Sequence, residues 1–116
     1  MKKNPSTFIV HIIDSINLIE EYLLDKTKDD FQESLPLQDM TMRRLEIIDE
    51  AIKNLPQEFK NDYPDIPWKR ISGLRDKLIH EYFGVDLELT WNILVRDLPE
   101  LKIKIQKLLL EINENK

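Results

Sequence analysis

Residues 63–99 read YPDIPWKRISGLRDKLIHEYFGVDLELTWNILVRDLP. The punctuation of this stretch decides the fold. A helix is predicted to start near Pro67, because a proline at the first helical position gives up no hydrogen bond that the helix needs. Ile71, Leu74 and Leu78 then recur at steps of three and four, the spacing of one helical face. Gly84 is placed as a left-handed C-terminal cap with Val85 as the apolar residue beyond it, so this helix should end near Phe83. Asp86 is suited to cap a further helix running from Leu87 to about Leu98. Pro99 either kinks that helix or begins another.

The pattern extends outward in both directions. Over residues 6–26, Ile9, Ile12, Ile13, Ile16, Ile19 and Leu23 form one face, with Ser6 as the expected N-cap. The polar run DKTKDDFQES should be a connection with at most a short helical turn, its acids Asp29, Asp30 and Glu33 solvated. A second helix is expected over residues 37–54, buried through Leu45, Ile48 and Ile52, with Leu55 beyond and Pro56 as its stop. The proline-spaced LPQEFKNDYPDIPW reads as an ordered loop pinned by Phe59, Tyr63, Ile66 and Trp68. Leu101, Ile105, Leu108 and Ile112 make the last stripe. The expectation is an all-α, up-and-down bundle of four or five helices, one domain over residues 1–116.

Composition narrows the function. The 116 residues carry 22 acids against 17 Lys and Arg, a net charge of −5, which argues against broad, non-specific nucleic-acid binding but leaves room for a local basic site. No cysteine is present, so disulfides, thiolate nucleophiles and cysteine zinc sites are excluded. His11 and Asp14 interrupt the apolar run after the first lysines, which therefore reads as a helix and not a leader. No stretch approaches the ~18 apolar residues of a membrane span. The chain is expected to be cytoplasmic. His11 and His80 are too far apart for a metal-binding motif, and neither a glycine-rich phosphate loop nor a G-x-S-x-G motif occurs, so no metal or cofactor is expected.

Within the third helix, residues 73–84 (GLRDKLIHEYFG) concentrate the chemistry. On a wheel with Leu74 at zero, Leu78 and Ile71 fall at about 40° and 60° and should meet the core. Asp76, His80 and Gly73 fall together at about 200°, 240° and 260°. Asp76 and His80 are one turn apart, so the carboxylate can favour the protonated imidazole and fix its tautomer. Gly73 costs about 1 kcal/mol of helix propensity relative to Ala and permits close approach of another backbone or a ligand. Arg75 and His80 lie about 140° apart, so one straight helix cannot easily bring both to one phosphate; a distorted helix end, a long reach or a second chain is needed. Simpler readings stay open: His80 as a favourable charge at a helix end, Arg75 paired with Glu81 or Asp76, Tyr82 as core, His11 as structural or solvent-facing.

RDKLIHEY (residues 75–82), together with LEIIDEAIKNLP (residues 45–56) and the long stretch quoted first, resembles the HEPN-domain proteins, specifically HepT-like toxins encoded beside a minimal nucleotidyltransferase antitoxin. The resemblance covers essentially the whole chain. It implies a helical homodimer whose two motif helices face each other across a shared cleft, and a metal-independent endoribonuclease of a type VII toxin–antitoxin system. The chemistry implied is attack of a ribose 2′-hydroxyl on the adjacent phosphate, with His80 as acid/base and Arg75 as phosphate clamp. Asp76 stands where the family often has asparagine, and an acid there repels RNA more than an amide does. Tyr82 matches the tyrosine that the antitoxin adenylylates, and the wheel places it on the side of Arg75, where a bulky anionic adenylate would compete with substrate. Gly73 is then a point of close approach in the dimer.

The implied partners are RNA, with transfer RNA as a possible target, the nucleotidyltransferase and a second copy of the chain; no DNA and no membrane are expected. Lys69, Arg70, Arg75 and Lys77 cluster in this helix and can form a narrow positive site, or a solvated basic face paired with Asp62, Asp65 and Glu81. The alternatives are a non-catalytic helical dimer that binds RNA, nucleotide or a partner protein, and a purely structural bundle whose polar face serves dimerisation.

Overall fold

The computed structural model describes residues 4–73 and 86–114. Among these, all regular structure is helical: α1 (Pro5–Leu23), α2 (Lys28–Glu33), α3 (Leu35–Asn54), α4 (Gln57–Asn61), α5 (Trp68–Ser72), α6 (Leu87–Asn92), a π-helical stretch (Ile93–Asp97) and α7 (Leu98–Glu114). The expected all-α class stands, with no strand among the described residues.

The framework is α1 packed along α3 and then against α7. Ile9, Ile12, Ile16 and Ile19 of α1 are essentially inaccessible and meet the apolar set Leu45, Ile48 and Ile52 of α3 and Leu101, Ile105 and Leu108 of α7 in one core cluster. Burying each such side chain contributes about 1.5–3 kcal/mol relative to leaving it exposed. Thr41 is also fully buried, and its hydroxyl donates to the carbonyls of Leu37 and Gln38 at 3.0 Å, so the polar atom is satisfied within its own helix.

Several boundaries differ from the sequence reading. The cap of α1 is Asn4, whose Oδ1 accepts from the Ser6 N–H at 3.0 Å, while Pro5 takes the first helical position and Ser6 lies inside the helix. The helix stops at Leu23, and Asp25 follows with φ 59°, a left-handed conformation that a short polar side chain tolerates. The polar connection holds a true short helix, α2. Thr27 and Asp30 form a reciprocal capping box of 3.1 and 2.9 Å, and Phe31 is fully buried with its ring 5.6 Å from Trp91. Asp30 is therefore a structural acid and not merely a solvated one. Ser34 caps α3, which starts at Leu35, two residues before the expected point.

Pro99 is the second residue of α7, so an α-helical element begins at it as the second of the two expected readings has it, and the π-helical stretch runs directly into that start. Backbone angles remain helical through Asn92, Ile93 and Leu98, and the Leu98 N–H bonds to the Ile93 carbonyl five residues back. A proline ring clashes with the carbonyl four residues before it and offers no N–H. The wider π turn just ahead of Pro99 accommodates both defects, so α6 passes through the π stretch into α7 without leaving helical backbone angles at the junctions.

Candidate functional site

Of the five residues singled out for function, Gly73 is described; Arg75, Asp76, His80 and Tyr82 lie outside the described residues. So do Lys77, Glu81 and the expected cap at Gly84 and Val85. What the structure defines is how the two flanks of the motif are held.

The upstream flank is fixed by Trp68. Its side chain is buried, and its indole N–H donates to the carbonyls of Lys60 and Tyr63 at 3.1 and 3.2 Å. Ile66 and Ile71 are buried beside it, and Phe59 and Tyr63 pack on the core with their rings 5.2 Å apart. The residues expected to pin the proline-spaced loop do so, although the loop also contains the short helix α4. Pro67 is the residue before α5 and not its first helical residue. The Arg70 guanidinium reaches Asp97 of the π stretch at 3.3 Å, tying α5 to the C-terminal helix. At the downstream flank, Asp86 caps α6 by accepting from the Leu89 N–H at 3.0 Å, as the sequence predicts. Thr90, fully buried, returns a bond of 2.6 Å to the Asp86 carbonyl. Lys28 and Glu88 pair at 2.9 Å and join α2 to the same point.

The uninterrupted helix expected from Pro67 to Phe83 is not seen. Described helix ends at Ser72, and Gly73 sits in a turn with φ −95° and ψ −5°. That is the bridge region, sparsely populated by ordinary helical residues, and glycine is the weakest helix former after proline. The wheel angles that relate Ile71 and Gly73 to the residues beyond lose their basis at this turn. Gly73 is exposed, and a Cβ added there would meet the Lys69 carbonyl at 3.5 Å, an ordinary contact. Among the described residues, nothing therefore demands a glycine for space.

Two features escaped the sequence reading. Asp49 lies on the buried stripe of α3; one carboxylate oxygen pairs with Lys53 at 2.9 Å, and the other, Oδ1, is buried without a hydrogen-bond partner. The only signal was an acid placed at helical spacing among Leu45, Ile48 and Ile52. The second feature is a cleft of about 470 Å³ between α4 and the start of α5, whose wall includes Lys60, Asn61, Lys69 and Arg70. Its residues come from separate elements, so no local pattern announces it. The basic residues Lys69 and Arg70 do not pair with Asp62 or Asp65; Arg70 takes Asp97, and Lys69 has no ion-pair partner among the described residues. His11 is exposed. No helix among the described residues is long and apolar enough to cross a membrane.

The profile of the family described as HepT-like (ribonuclease HepT-like) matches residues 12–108. "Gamma-glutamylcyclotransferase and putative RNase MJ0434" of Methanocaldococcus jannaschii is 53% identical over 116 residues, all of this chain but 52% of that relative, so the chain spans about half its length. "Probable ribonuclease HepT" of Thermococcus cleftensis is 43% identical over 108 residues, 93% of this chain and 98% of the relative. "Putative RNase MJ0127" of Methanocaldococcus jannaschii is 39% identical over 111 residues, covering 96% of this chain and 92% of the relative. No solved structure matches the chain significantly.

Proposed function

The chain belongs to the HepT-like ribonuclease family, and from that premise we propose that it is a metal-independent endoribonuclease, the toxin of a toxin–antitoxin pair. The observation that carries this reading is the extent of the family match, residues 12–108, which runs through the whole of GLRDKLIHEYFG. A relative named as a ribonuclease and matched over 98% of its own length supports it.

The chemistry asked of the motif is modest. A ribose 2′-oxygen attacks the neighbouring phosphorus, the bond from phosphorus to the 5′-oxygen breaks, and a 2′,3′-cyclic phosphate and a 5′-hydroxyl result. His80 takes the proton from the attacking hydroxyl or returns one to the leaving oxygen, since imidazole titrates near neutral pH. Arg75 stabilises the charge that builds on the phosphate. The site is completed by a second copy of the chain, with Gly73 at the close approach. Exposure of Gly73 on the single chain is consistent with that placement. Asp76 supports the imidazole, and adenylylation of Tyr82 by a nucleotidyltransferase antitoxin silences the enzyme by putting an anion where substrate must sit.

The test is incubation of the purified protein with total RNA in EDTA, beside a folded and dimeric His80→Ala variant. Cleavage by the wild type alone is expected. Cleavage by both, or by neither, would remove His80 from the chemistry. The carboxylate of Asp76 favours a second reading, a dimer that binds RNA or a partner without cutting it; that reading gains if neither protein cuts and the wild type still retains RNA.

A further inference from the structure

The cleft between α4 and α5 is unusual for this chain. The protein has a net charge of −5, and the neighbouring surface reflects it. One adjacent cleft sets Asp65, Asp97 and Glu100 against Arg70 and Lys104, another sets Asp62, Asp65 and Glu111 against Lys104 and Lys107, so acids outnumber cations in both. The α4–α5 cleft has no acid among its described lining residues and three cations, Lys60, Lys69 and Arg70. The cations are differently held. Lys60 donates to the Ile52 carbonyl at 3.3 Å, which fixes the ammonium at the wall without neutralising it. Lys69 is exposed and unpaired among the described residues. Arg70 gives one edge to Asp97 but remains 68% exposed, with donors to spare. Asn61 accepts from Gln57 through Oδ1 at 2.9 Å, and its own N–H groups have no partner among the described residues. The charged groups here are all cations, with neutral Gln57, Asn61 and Ser72 beside them, a balance that favours an anion.

We infer that this cleft docks phosphates of the RNA strand on one side of the scissile bond, an inference that rests on the RNA-directed reading above. Chain connectivity supports the placement. Arg70 and Arg75 are five residues apart, which limits their separation to about 18 Å whatever the intervening conformation. A strand held at Arg75 therefore passes within a few nucleotides of the cleft. The acids at Asp62 and Asp65 bound the path on the far side and turn the strand away from the C-terminal helix. Trp68 is buried with its N–H already bonded, so it offers no face for base stacking. Contacts here go to the backbone, which positions the strand without reading its sequence.

The test uses the full-length His80→Ala chain and a labelled single-stranded RNA, with affinity followed by fluorescence anisotropy across a salt series. Adding Lys69→Gln should weaken binding and lower the slope of log K against log salt by about 0.7, the value for one phosphate that the protein no longer neutralises. Lys69 touches no other described side chain through an ion pair, so the variant should keep its melting curve. Asn61→Asp, which places an acid in the cleft and removes no cation, should weaken binding as well. An unchanged slope in Lys69→Gln with unchanged affinity in Asn61→Asp overturns the proposal, even if the wild type cuts RNA. Reduced slope in a protein that never cuts RNA upholds the cleft and sinks the nuclease reading. If the two variants instead release a nucleotidyltransferase partner and leave RNA affinity alone, the cleft is a protein contact and the proposal fails. No RNA binding by the His80→Ala chain at low salt overturns it too.

Discussion

The α1–α3 pair and the segment between Pro56 and Gly73 are built on different physics. Both long helices are capped by side chains, Asn4 and Ser34, and each buries a continuous stripe. Their stability comes from apolar contact repeated over several turns. The intervening segment has two helices of five residues, and neither has a side-chain cap. Helices so short do not hold themselves. They are fixed by side chains reaching distant carbonyls: Lys60 to Ile52, Trp68 to Lys60 and Tyr63, Lys104 to Asp65. A region held at a few points keeps its remaining donors outward. The same construction that makes this segment weakly periodic in sequence makes it the place where a basic cleft forms, directly ahead of the motif.

The contrast can be broken at its strongest point first. Ile105→Ala removes a fully buried side chain where α7 meets the core and should lower unfolding free energy by about 2–5 kcal/mol. Trp68→Phe keeps most of the ring but deletes the one N–H that ties two carbonyls, and should lower it by about 1 kcal/mol. Denaturant midpoints of both variants decide the matter. If Trp68→Phe is as harmful as Ile105→Ala, the segment is part of the cooperative core and the distinction between regions is wrong.

The difference also explains what could be read from the sequence. The bodies of α1, α3 and α7 were legible because stripes such as Ile9, Ile12, Ile16 and Ile19 repeat for several turns. Their ends were less so: Pro5 moved the cap of α1 from Ser6 to Asn4, a choice between nearby residues that periodicity does not make. Helix α4 is too short to show a period at all. The π turn before Pro99 arises from the clash of a proline ring with a preceding carbonyl, and the sequence shows the proline but not which of several relaxations the helix adopts. At the site, RDKLIHEY was recognisable as a pattern; the turn at Gly73 separates Ile71 and Gly73 from the wheel drawn through it, and the residues of RDKLIHEY themselves lie outside the described ones. The cleft at Lys60, Asn61, Lys69 and Arg70 exists only once α4 and α5 are folded against α3.

A finer comparison concerns α2, where a short helix does have a cap. Asp30 is held below the ordinary carboxylate range, first by the Thr27 backbone N–H and then by the Thr27 hydroxyl. Because the folded value is depressed, this contribution is present above the unfolded value and is lost as pH falls through the folded one. Thr27→Ala loses the cap and should cost about 1 kcal/mol near neutrality, whereas Asp30→Asn removes the depressed carboxyl itself and should flatten the acid limb of the stability profile. Thermal melts from neutral to acid pH read both effects. An acid limb as steep as in the wild type would mean that other carboxylates govern it.

The smallest effect on stability is the most informative about the site. Gly73→Ala is expected to be neutral or to stabilise the single chain by up to about 0.4–1 kcal/mol, because alanine restricts the unfolded chain. The folded position accepts it: φ is −95°, and among the described residues the new Cβ meets nothing closer than the Lys69 carbonyl at 3.5 Å. Any loss must therefore come from something outside the described chain that approaches this exposed turn. Dimer dissociation measured by sedimentation and RNA cleavage should both suffer in Gly73→Ala if a second copy lies against it. Should cleavage fall while the dimer persists, the approaching surface is RNA. If neither changes, Gly73 serves only to end α5, and the close approach assigned to it is removed from the site.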